Sequence, residues 1–354
     1  MGKVISIINL KGGVGKTTLA VCLGEFLGFV FKKKVLLIDM DHQTNLTYAM
    51  LPRELLEASR TSGKTIFHMF KKAFDGEDWS LRDSTISGCS NIDHNSYLRL
   101  IASLPDVGHL DEMILEKYEK QTEAFRLDPR RILADKIGEA KKEYDYILID
   151  CPPSLGLPTI NALLASDYFI VPVVPEFLSL QGLELIMKRV SGLKNRYRVD
   201  VEFAGTILNR ISIQRTDHKE WSEVLFLSPE QKESCKKEFE NYARLLGKGN
   251  RDEAAKLDIQ KLMFALILRN LGNTDFRPFK SWLGDLKPFY LVTDYSYPER
   301  KRKMKKYPTI EKKYDGVGSA PDEKEWPRLG RSVKHYDLFE RCRELAHEFI
   351  ARCS

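Results

Sequence analysis

Residues 9–18, which read NLKGGVGKTT, constrain the fold of this chain more than any other feature. The stretch ends like the phosphate-binding loop G-x-x-x-x-G-K-[ST], but position 10 is leucine and a second lysine, Lys11, follows it. A β-branched run, Val4–Ile8, precedes the loop, and apolar residues at helical spacing continue from Thr17 to about Val30. Because strand, glycine-rich loop and helix form the context in which this motif binds phosphate, we predict a nucleotide site.

The loop residues have distinct predicted roles. Glycines let the backbone curl so that its N–H groups point at phosphate oxygens, and the start of the helix adds partial positive charge. Lys16 is predicted to reach the β- and γ-phosphates, and Thr17 to place its hydroxyl on Mg²⁺. The predicted nucleotide contacts in the loop are Gly12, Gly13, Val14, Gly15, Lys16, Thr17 and Thr18.

Two further apolar runs end in an aspartate. Val35–Asp39 and Tyr146–Asp150 are predicted to be buried parallel strands whose carboxylates lie at the edge of the sheet, beside the phosphates. Asp150 is expected to hold Mg²⁺ through water, because Mg²⁺ keeps part of its hydration shell in proteins. Cys151, which follows directly, is interpreted as a small core residue rather than a nucleophile.

Together these motifs resemble the deviant Walker A ATPases, the family of ParA, Soj and MinD. Lys11 matches the extra lysine of that family. Residues 39–47, DMDHQTNLT, resemble its first switch, D-x-D-P-Q-x-N-x-T, with His42 in place of the customary proline. Residues 150–156, DCPPSLG, resemble its second switch. The resemblance covers residues 1–210, apart from a variable stretch at about 50–130 that we predict to be helical.

The resemblance implies ATP and Mg²⁺ as cofactors, and a homodimer in which ATP is sandwiched between two chains. In that arrangement Lys11 reaches the nucleotide of the partner subunit, and Asp41 orients the attacking water. The implied catalytic residues are Lys11, Lys16 and Asp41; the implied magnesium site is Thr17, Asp39 and Asp150; the further implied nucleotide contacts are Asn45, Pro175, Asn209 and Arg210, with Asn209 reading adenine.

The predicted fold class is α/β, a doubly wound, mostly parallel sheet, with a helical insertion in the C-terminal third. Residues 1–210 are predicted to form the ATPase core, and 211–300 a mainly helical insertion. The insertion contains helical patterns at Glu230–Leu246 and 252–271, and Phe289–Thr293 is predicted as a last core strand. Residues 301–354 are expected to supply a basic segment and a C-terminal helix that packs on the core.

Positive charge is concentrated in the last third of the chain. The first 210 residues contain 27 Lys and Arg and 27 Asp and Glu, so the net charge of +6 lies in residues 211–354. Six cations fall within residues 300–306, and we predict that they contact DNA phosphates without sequence preference: Arg300, Lys301, Arg302, Lys303, Lys305 and Lys306. The alternative is a solvated loop with no binding role.

The resulting hypothesis is a ParA-like ATPase that dimerises on ATP and binds non-specific DNA. It hydrolyses ATP slowly until a ParB-like or adaptor protein stimulates it, in the cytoplasm and on the nucleoid. One alternative is a MinD-like membrane-cycling ATPase, which Glu340, Glu344 and Glu348 on the last helix disfavour, so no membrane partner is expected. Others are an iron–sulfur relative using Cys89 and Cys151, and a regulatory or defence interaction module.

Overall fold

The structure, a computed structural model, describes residues 1–90, 95–119, 128–174, 177–209, 227–247 and 333–354. Its strands are β1 (Lys3–Ile7), β2 (Val35–Asp39), β3 (Leu98–Ile101), β4 (Tyr146–Asp150), β5 (Tyr168–Val173) and β6 (Glu202–Leu208). Its helices are α1 (Lys16–Phe29), α2 (Asn45–Met50), α3 (Arg53–Thr61), α4 (Ile66–Asp75), α5 (Leu110–Glu119), α6 (Ile132–Glu143), α7 (Leu157–Ala165), α8 (Phe177–Tyr197), α9 (Pro229–Gly247) and α10 (Val333–Arg352).

The strands form one sheet in the order β3-β2-β4-β1-β5-β6, and every pairing between them is parallel. The register places Ile7 opposite Asp150, and Asp150 opposite Asp39. The carboxyl ends of β1, β4 and β2 therefore lie side by side. The strand order changes direction next to β1, and in open α/β sheets ligands bind at such a switch point.

Both faces of the sheet are covered, because successive side chains of a strand point to opposite sides. On β2, Leu36 and Ile38 belong to one apolar cluster and Val35 and Leu37 to the other. The first cluster is completed by residues of α4, α6, α7 and α8. The second is completed by residues of α1, α2 and α10. The chain is therefore a three-layer α/β/α structure, which confirms the predicted fold class.

The last helix packs against the helix of the phosphate-binding loop. Cys342, Leu345, Ala346 and Phe349 are fully buried in the same cluster as the inward-facing residues of α1. The ring of Phe349 lies 5.4 Å from the ring of Tyr146 on β4, centroid to centroid, in an edge-to-face arrangement. These four apolar residues thus form the buried face of this helix.

The sequence predicted a helical stretch at about 50–130, and this prediction is wrong in part. Strand β3 lies within it and forms the edge of the sheet beside β2. Strands β2 and β4 begin and end where the sequence predicts them, and α9 covers the helical pattern at Glu230–Leu246. The predicted helix at 252–271 and the predicted strand Phe289–Thr293 lie outside the described residues.

Candidate functional site

The glycine-rich loop connects β1 to α1 and is anchored by Asn9. The amide nitrogen Nδ2 of Asn9 donates to the carbonyl of Pro172 on β5 at 2.8 Å, and its Oδ1 accepts the N–H of Lys11 at 2.9 Å. This buried side chain therefore fixes the start of the loop to the neighbouring strand. The signal for Asn9 in the sequence is weak, since an asparagine after a strand is typical only of a turn that its side chain stabilises.

Two of the three glycines adopt conformations that favour glycine. Gly13 and Gly15 have φ angles of 72° and 89°. A Cβ on Gly15 would also lie 1.8 Å from Nδ2 of Asn209, so any side chain there would displace the Asn209 amide. Gly12 differs, because its φ is not positive and a Cβ on it would meet nothing within 4 Å. The local chain conformation thus explains Gly13 and Gly15, but not Gly12.

Lys16 is held under the loop. Its ammonium donates to the carbonyl of Asn9 at 3.1 Å and to that of Lys11 at 3.4 Å. Burial lowers the pKa of Lys16, and negative charge on Asp150 and Asp41 acts in the opposite direction. A cation buried in this way is stabilised by an anion, and a phosphate group beside the loop would supply one.

The aspartates that end β2 and β4 are both buried, but only one is fully hydrogen-bonded. Asp39 accepts the N–H of Thr47 at 2.8 Å, the hydroxyl of Thr47 at 2.7 Å and the N–H of Asp41 at 3.0 Å. Asp150 accepts the hydroxyl of Thr17 through Oδ2 at 2.7 Å. Among the residues that the structure describes, nothing bonds to the buried Oδ1 of Asp150.

Burial raises the pKa of both carboxylates, and the negative charge of a neighbouring aspartate adds to the effect. Burial raises the pKa of Asp39 to about 7, although hydrogen bonds from Thr47 and from the Asp41 amide lower it. Burial, and next the negative charge of Asp39, raises the pKa of Asp150 well above its usual range. The site therefore concentrates negative charge that a divalent cation would stabilise, and the unpaired Oδ1 of Asp150 is a ready acceptor for a metal-bound water.

The residues present fit Mg²⁺ rather than a metal that needs a full protein cage. In the described part of the chain, no three His, Cys, Asp or Glu side chains converge as a metal site. Mg²⁺ is commonly held by one or two protein groups together with water and substrate phosphates. Thr17 and Asp150 are in contact and supply such groups, while Asp39 lies beside them at the end of the next strand.

Asp41 lies two residues after the end of β2, and both its carboxylate and its backbone carbonyl accept hydrogen bonds. Its carboxylate Oδ1 accepts the N–H of Gln43 at 2.9 Å, and its carbonyl accepts the hydroxyl of Ser103 at 2.9 Å. His42 Nδ1 lies 3.5 Å from the same Asp41 Oδ1, and the His42 side chain is 43% exposed. Ser103 follows strand β3, which the sequence does not predict, so no local pattern marks this serine.

Asn209 reaches the loop from the end of β6. Its Nδ2 donates to the carbonyl of Val14 at 2.9 Å, so the side chain braces the phosphate-binding loop. Its predicted contact with adenine stays a prediction. Asn45 is exposed at the first position of α2, Thr18 is half-buried in the first turn of α1, and Lys11 is half-buried at the loop. Pro175, Arg210 and the basic run at 300–306 lie outside the described residues.

The cysteines support no chemistry of their own. Cys89 and Cys151 are fully buried, and burial raises the pKa of both thiols, to about 12 for Cys89. A buried neutral thiol is a poor nucleophile and a poor ligand, so Cys151 is a core residue as predicted.

A parallel sheet, a lysine-bearing glycine loop before α1 and aspartates at two adjacent strand ends define a P-loop nucleoside triphosphatase. A family model described as an AAA domain matches residues 2–203, more than half of the chain. The chain belongs to the ParA/Soj/MinD family of P-loop ATPases.

Individual relatives agree with this assignment. The sporulation initiation inhibitor protein Soj of Bacillus subtilis is 36% identical over 214 residues, which are 60% of this chain and 74% of Soj. The chromosome-partitioning ATPase Soj of Treponema pallidum is 32% identical over 206 residues, 58% of this chain and 70% of that protein. Cobyrinic acid a,c-diamide synthase from Mycobacterium smegmatis, crystallised with an ATP analogue and magnesium, shares the fold. Its TM-score is 0.51 at 23% identity, over 63% of this chain and 81% of that one.

The described helices include none that is both long enough and apolar enough to cross a membrane.

Proposed function

We propose that this chain is a ParA-like positioning ATPase, which uses Mg²⁺ and ATP to form a dimer that binds DNA. One observation carries the proposal. The Lys16 ammonium, the Thr17–Asp150 pair and the two aspartates of the first switch meet at one end of the sheet, next to a loop with a second lysine. The similarity to a chromosome-partitioning ATPase supports the same class of function.

The residues of the site divide the work of hydrolysis between them. When bound, ATP would supply the phosphoryl group, and Mg²⁺ the positive charge that stabilises its transfer. Lys16 and the loop amides would hold the phosphates, and the Thr17 hydroxyl and the Asp150 carboxylate would hold the metal and its water. Asp41 accepts a hydrogen bond from the attacking water and orients it. Positioning and electrostatic stabilisation of this kind supply most of the catalysis in phosphoryl transfer.

The second lysine, Lys11, is the group that each chain of the proposed dimer would supply to the nucleotide of the other. Lys11 is half-buried at the loop, from which it would reach the nucleotide of a second chain that faces this one. An added cation at the γ-phosphate stabilises the negative charge of the transition state. Hydrolysis in each site then depends on the partner chain, which makes turnover slow in the isolated monomer and open to control by a further protein.

The DNA partner is proposed from charge. The excess of Lys and Arg lies after residue 210, and residues 300–306 concentrate it. Lysine and arginine side chains that neutralise phosphates release counterions, which gives affinity without sequence preference. A dimer doubles the number of these contacts, so ATP-dependent dimerisation would also regulate DNA binding.

The variant Asp41→Ala tests the division of roles. Since Asp41 is proposed to act on water rather than on nucleotide, the variant should bind ATP and stay dimeric with ATP and Mg²⁺, while hydrolysis falls by about two orders of magnitude or more. Size-exclusion chromatography with light scattering measures the dimer, and phosphate release measures hydrolysis. A variant that turns over ATP like the wild type would show that another residue orients the water.

A further inference from the structure

One short segment touches both switch loops. We call Ser103–Asp111 the bridging segment; it follows the edge strand β3, includes the 3-10 turn Pro105–His109 and ends in the first turn of α5. At the N-terminal end of the segment, the buried hydroxyl of Ser103 donates to the carbonyl of Asp41 at 2.9 Å. The N–H of Ser103 also donates to Thr47 Oγ1 at 2.9 Å, and that hydroxyl in turn bonds to Asp39.

The middle of the bridging segment packs on the same switch. A Cβ placed on Gly108 would lie 3.4 Å from Cβ of His42, so the backbone at Gly108 lies against this side chain. Val107 and Leu110, on either side, are buried in the apolar cluster that covers this face of the sheet. The segment is therefore anchored to the core while it contacts the residue next to Asp41.

The other end of the bridging segment holds the second switch. Leu157 is the first residue of α7, and its N–H has no acceptor within the helix. Oδ1 of Asp111 accepts this N–H at 3.2 Å, although the two residues are 46 positions apart. A carboxylate at a helix N-terminus is also favoured by the helix dipole. A Cβ on Gly156 would lie 2.9 Å from Oδ2 of Asp111, so the two groups are in close contact.

We propose that Ser103 and Asp111 are positioning residues that couple the two switches through the bridging segment. The inference rests on the proposed function and deepens it, since it states how the second switch controls the aspartate that orients water. Neither residue is proposed to touch the nucleotide. When α7 and Gly156 are in place, Asp111 holds the segment, and Ser103 holds the backbone of Asp41. Displacing α7 pulls on Asp111 and releases Asp41, so a partner that moves the second switch changes hydrolysis.

Amide hydrogen exchange of the full-length protein with Mg²⁺ and ATP tests this coupling directly. In Asp111→Ala, exchange should become faster by roughly fivefold at residues 154–160, since one hydrogen bond of about 1 kcal/mol is lost. The coupling predicts a similar change at residues 41–47, which Asp111 does not contact. Asp111→Asn keeps the acceptor oxygen and should restore protection at both places. Asp106→Ala, at an exposed acidic residue of the same segment, is the matched control.

A steric variant, Gly156→Ala, tests the same coupling and remains informative even if Asp111→Ala does not fold. The backbone of Gly156 has φ −73°, which any residue adopts, so the new methyl group of Gly156→Ala meets only the Asp111 carboxylate at short range. In the wild-type background, Gly156→Ala should make amide exchange faster at residues 41–47. In the Asp111→Ala background the same substitution should change this exchange little, because the carboxylate that it would contact is gone.

ATP hydrolysis separates this inference from the proposed function. In Asp111→Ala and Ser103→Ala, kcat should fall by about three- to tenfold while the Kd for ATP stays the same, because each substitution removes one hydrogen bond outside the nucleotide site. Faster exchange confined to residues 154–160 in both Asp111→Ala and Gly156→Ala would overturn the coupling. A wild-type protein without ATPase activity would instead overturn the proposed function, and hydrogen exchange would still decide whether the switches are coupled.

Discussion

At the scale of single residues, the site is defined by an imbalance of charge. Asp39, Asp41 and Asp150 are buried around one buried ammonium, that of Lys16. Two of these carboxylates have raised pKa values, chiefly because burial disfavours the charged form. Such clusters lower the stability of the folded protein on its own and become favourable when a cation enters, so the charge pattern links stability to ligand binding.

This imbalance predicts how stability depends on pH. The pKa of Asp39 is about 7 in the folded protein, against an ordinary value of 3.8. Because the folded value is raised, the stabilising effect of protonation is complete below about pH 4 and is lost as the pH rises through 7. Without nucleotide, the free energy of unfolding should therefore decrease between about pH 5 and pH 8. The decrease should be no more than about 1.4 kcal/mol for each unit of pKa shift.

Urea denaturation across this pH range measures the effect. Saturating Mg²⁺ and ATP should reduce the decrease, because the metal favours the ionised carboxylates. An unfolding free energy that rises steadily from pH 5 to pH 8 without ligand would contradict the account of Asp39 and Asp150.

At the scale of elements, the sequence predicted those parts whose signal is local. Strands β2 and β4 are five-residue apolar runs that end in aspartate, and the motif between β1 and α1 requires a strand and a helix around it. Strand β3 is only Leu-Arg-Leu-Ile, which has no distinct period, and it is a strand because β2 pairs with it. The contacts made by Asn209 and Asp111 join distant positions, and no local pattern encodes such contacts.

The packing of α10 on α1 gives a prediction at this scale. Phe349 is fully buried against Tyr146, so Phe349→Ala should lower the free energy of unfolding by about 3–5 kcal/mol. Leu185→Ala, at a side chain that is 46% exposed on α8, is the matched control and should change it by about 0.5 kcal/mol or less. Equal losses in the two variants, measured by urea denaturation, would show that α10 is not part of the cooperative core.

At the scale of the whole molecule, the chain combines an electrically balanced ATPase core with a basic C-terminal third. The core holds all of the residues that we assign to hydrolysis within the described part of the chain. The last helix, α10, joins the end of the chain to the core by packing on the helix that follows the phosphate-binding loop. Nucleotide chemistry and DNA contact are thus proposed to occupy different parts of one polypeptide.

The DNA contact is tested by reversing charge in the basic run. Replacing Arg300, Lys301, Arg302 and Lys303 with Glu should weaken ATP-dependent binding to random-sequence DNA, and should weaken it on every sequence alike. The log–log dependence of affinity on salt should become flatter by about 0.9 for each phosphate contact that is lost. ATP binding should be unaffected. A salt dependence identical to that of the wild type would mean that the run is a solvated loop.

The central claim is that each active site is built from two chains, with Lys16 from one and Lys11 from the other. Lys16→Ala should fail to bind ATP, and Lys11→Ala should bind ATP without hydrolysing it, so each variant alone is inactive. In a mixed dimer, the nucleotide on the Lys11→Ala chain meets its own Lys16 and the intact Lys11 of the partner subunit. One complete site is thereby restored.

Phosphate release from an equal mixture of the two variants is the most direct test. Native mass spectrometry of the same mixture with ATP and Mg²⁺ verifies that the two chains pair. We predict that hydrolysis, absent from each variant alone, returns in the mixture in proportion to the mixed dimer. A mixture that pairs but stays as inactive as its components would contradict a site shared between two chains.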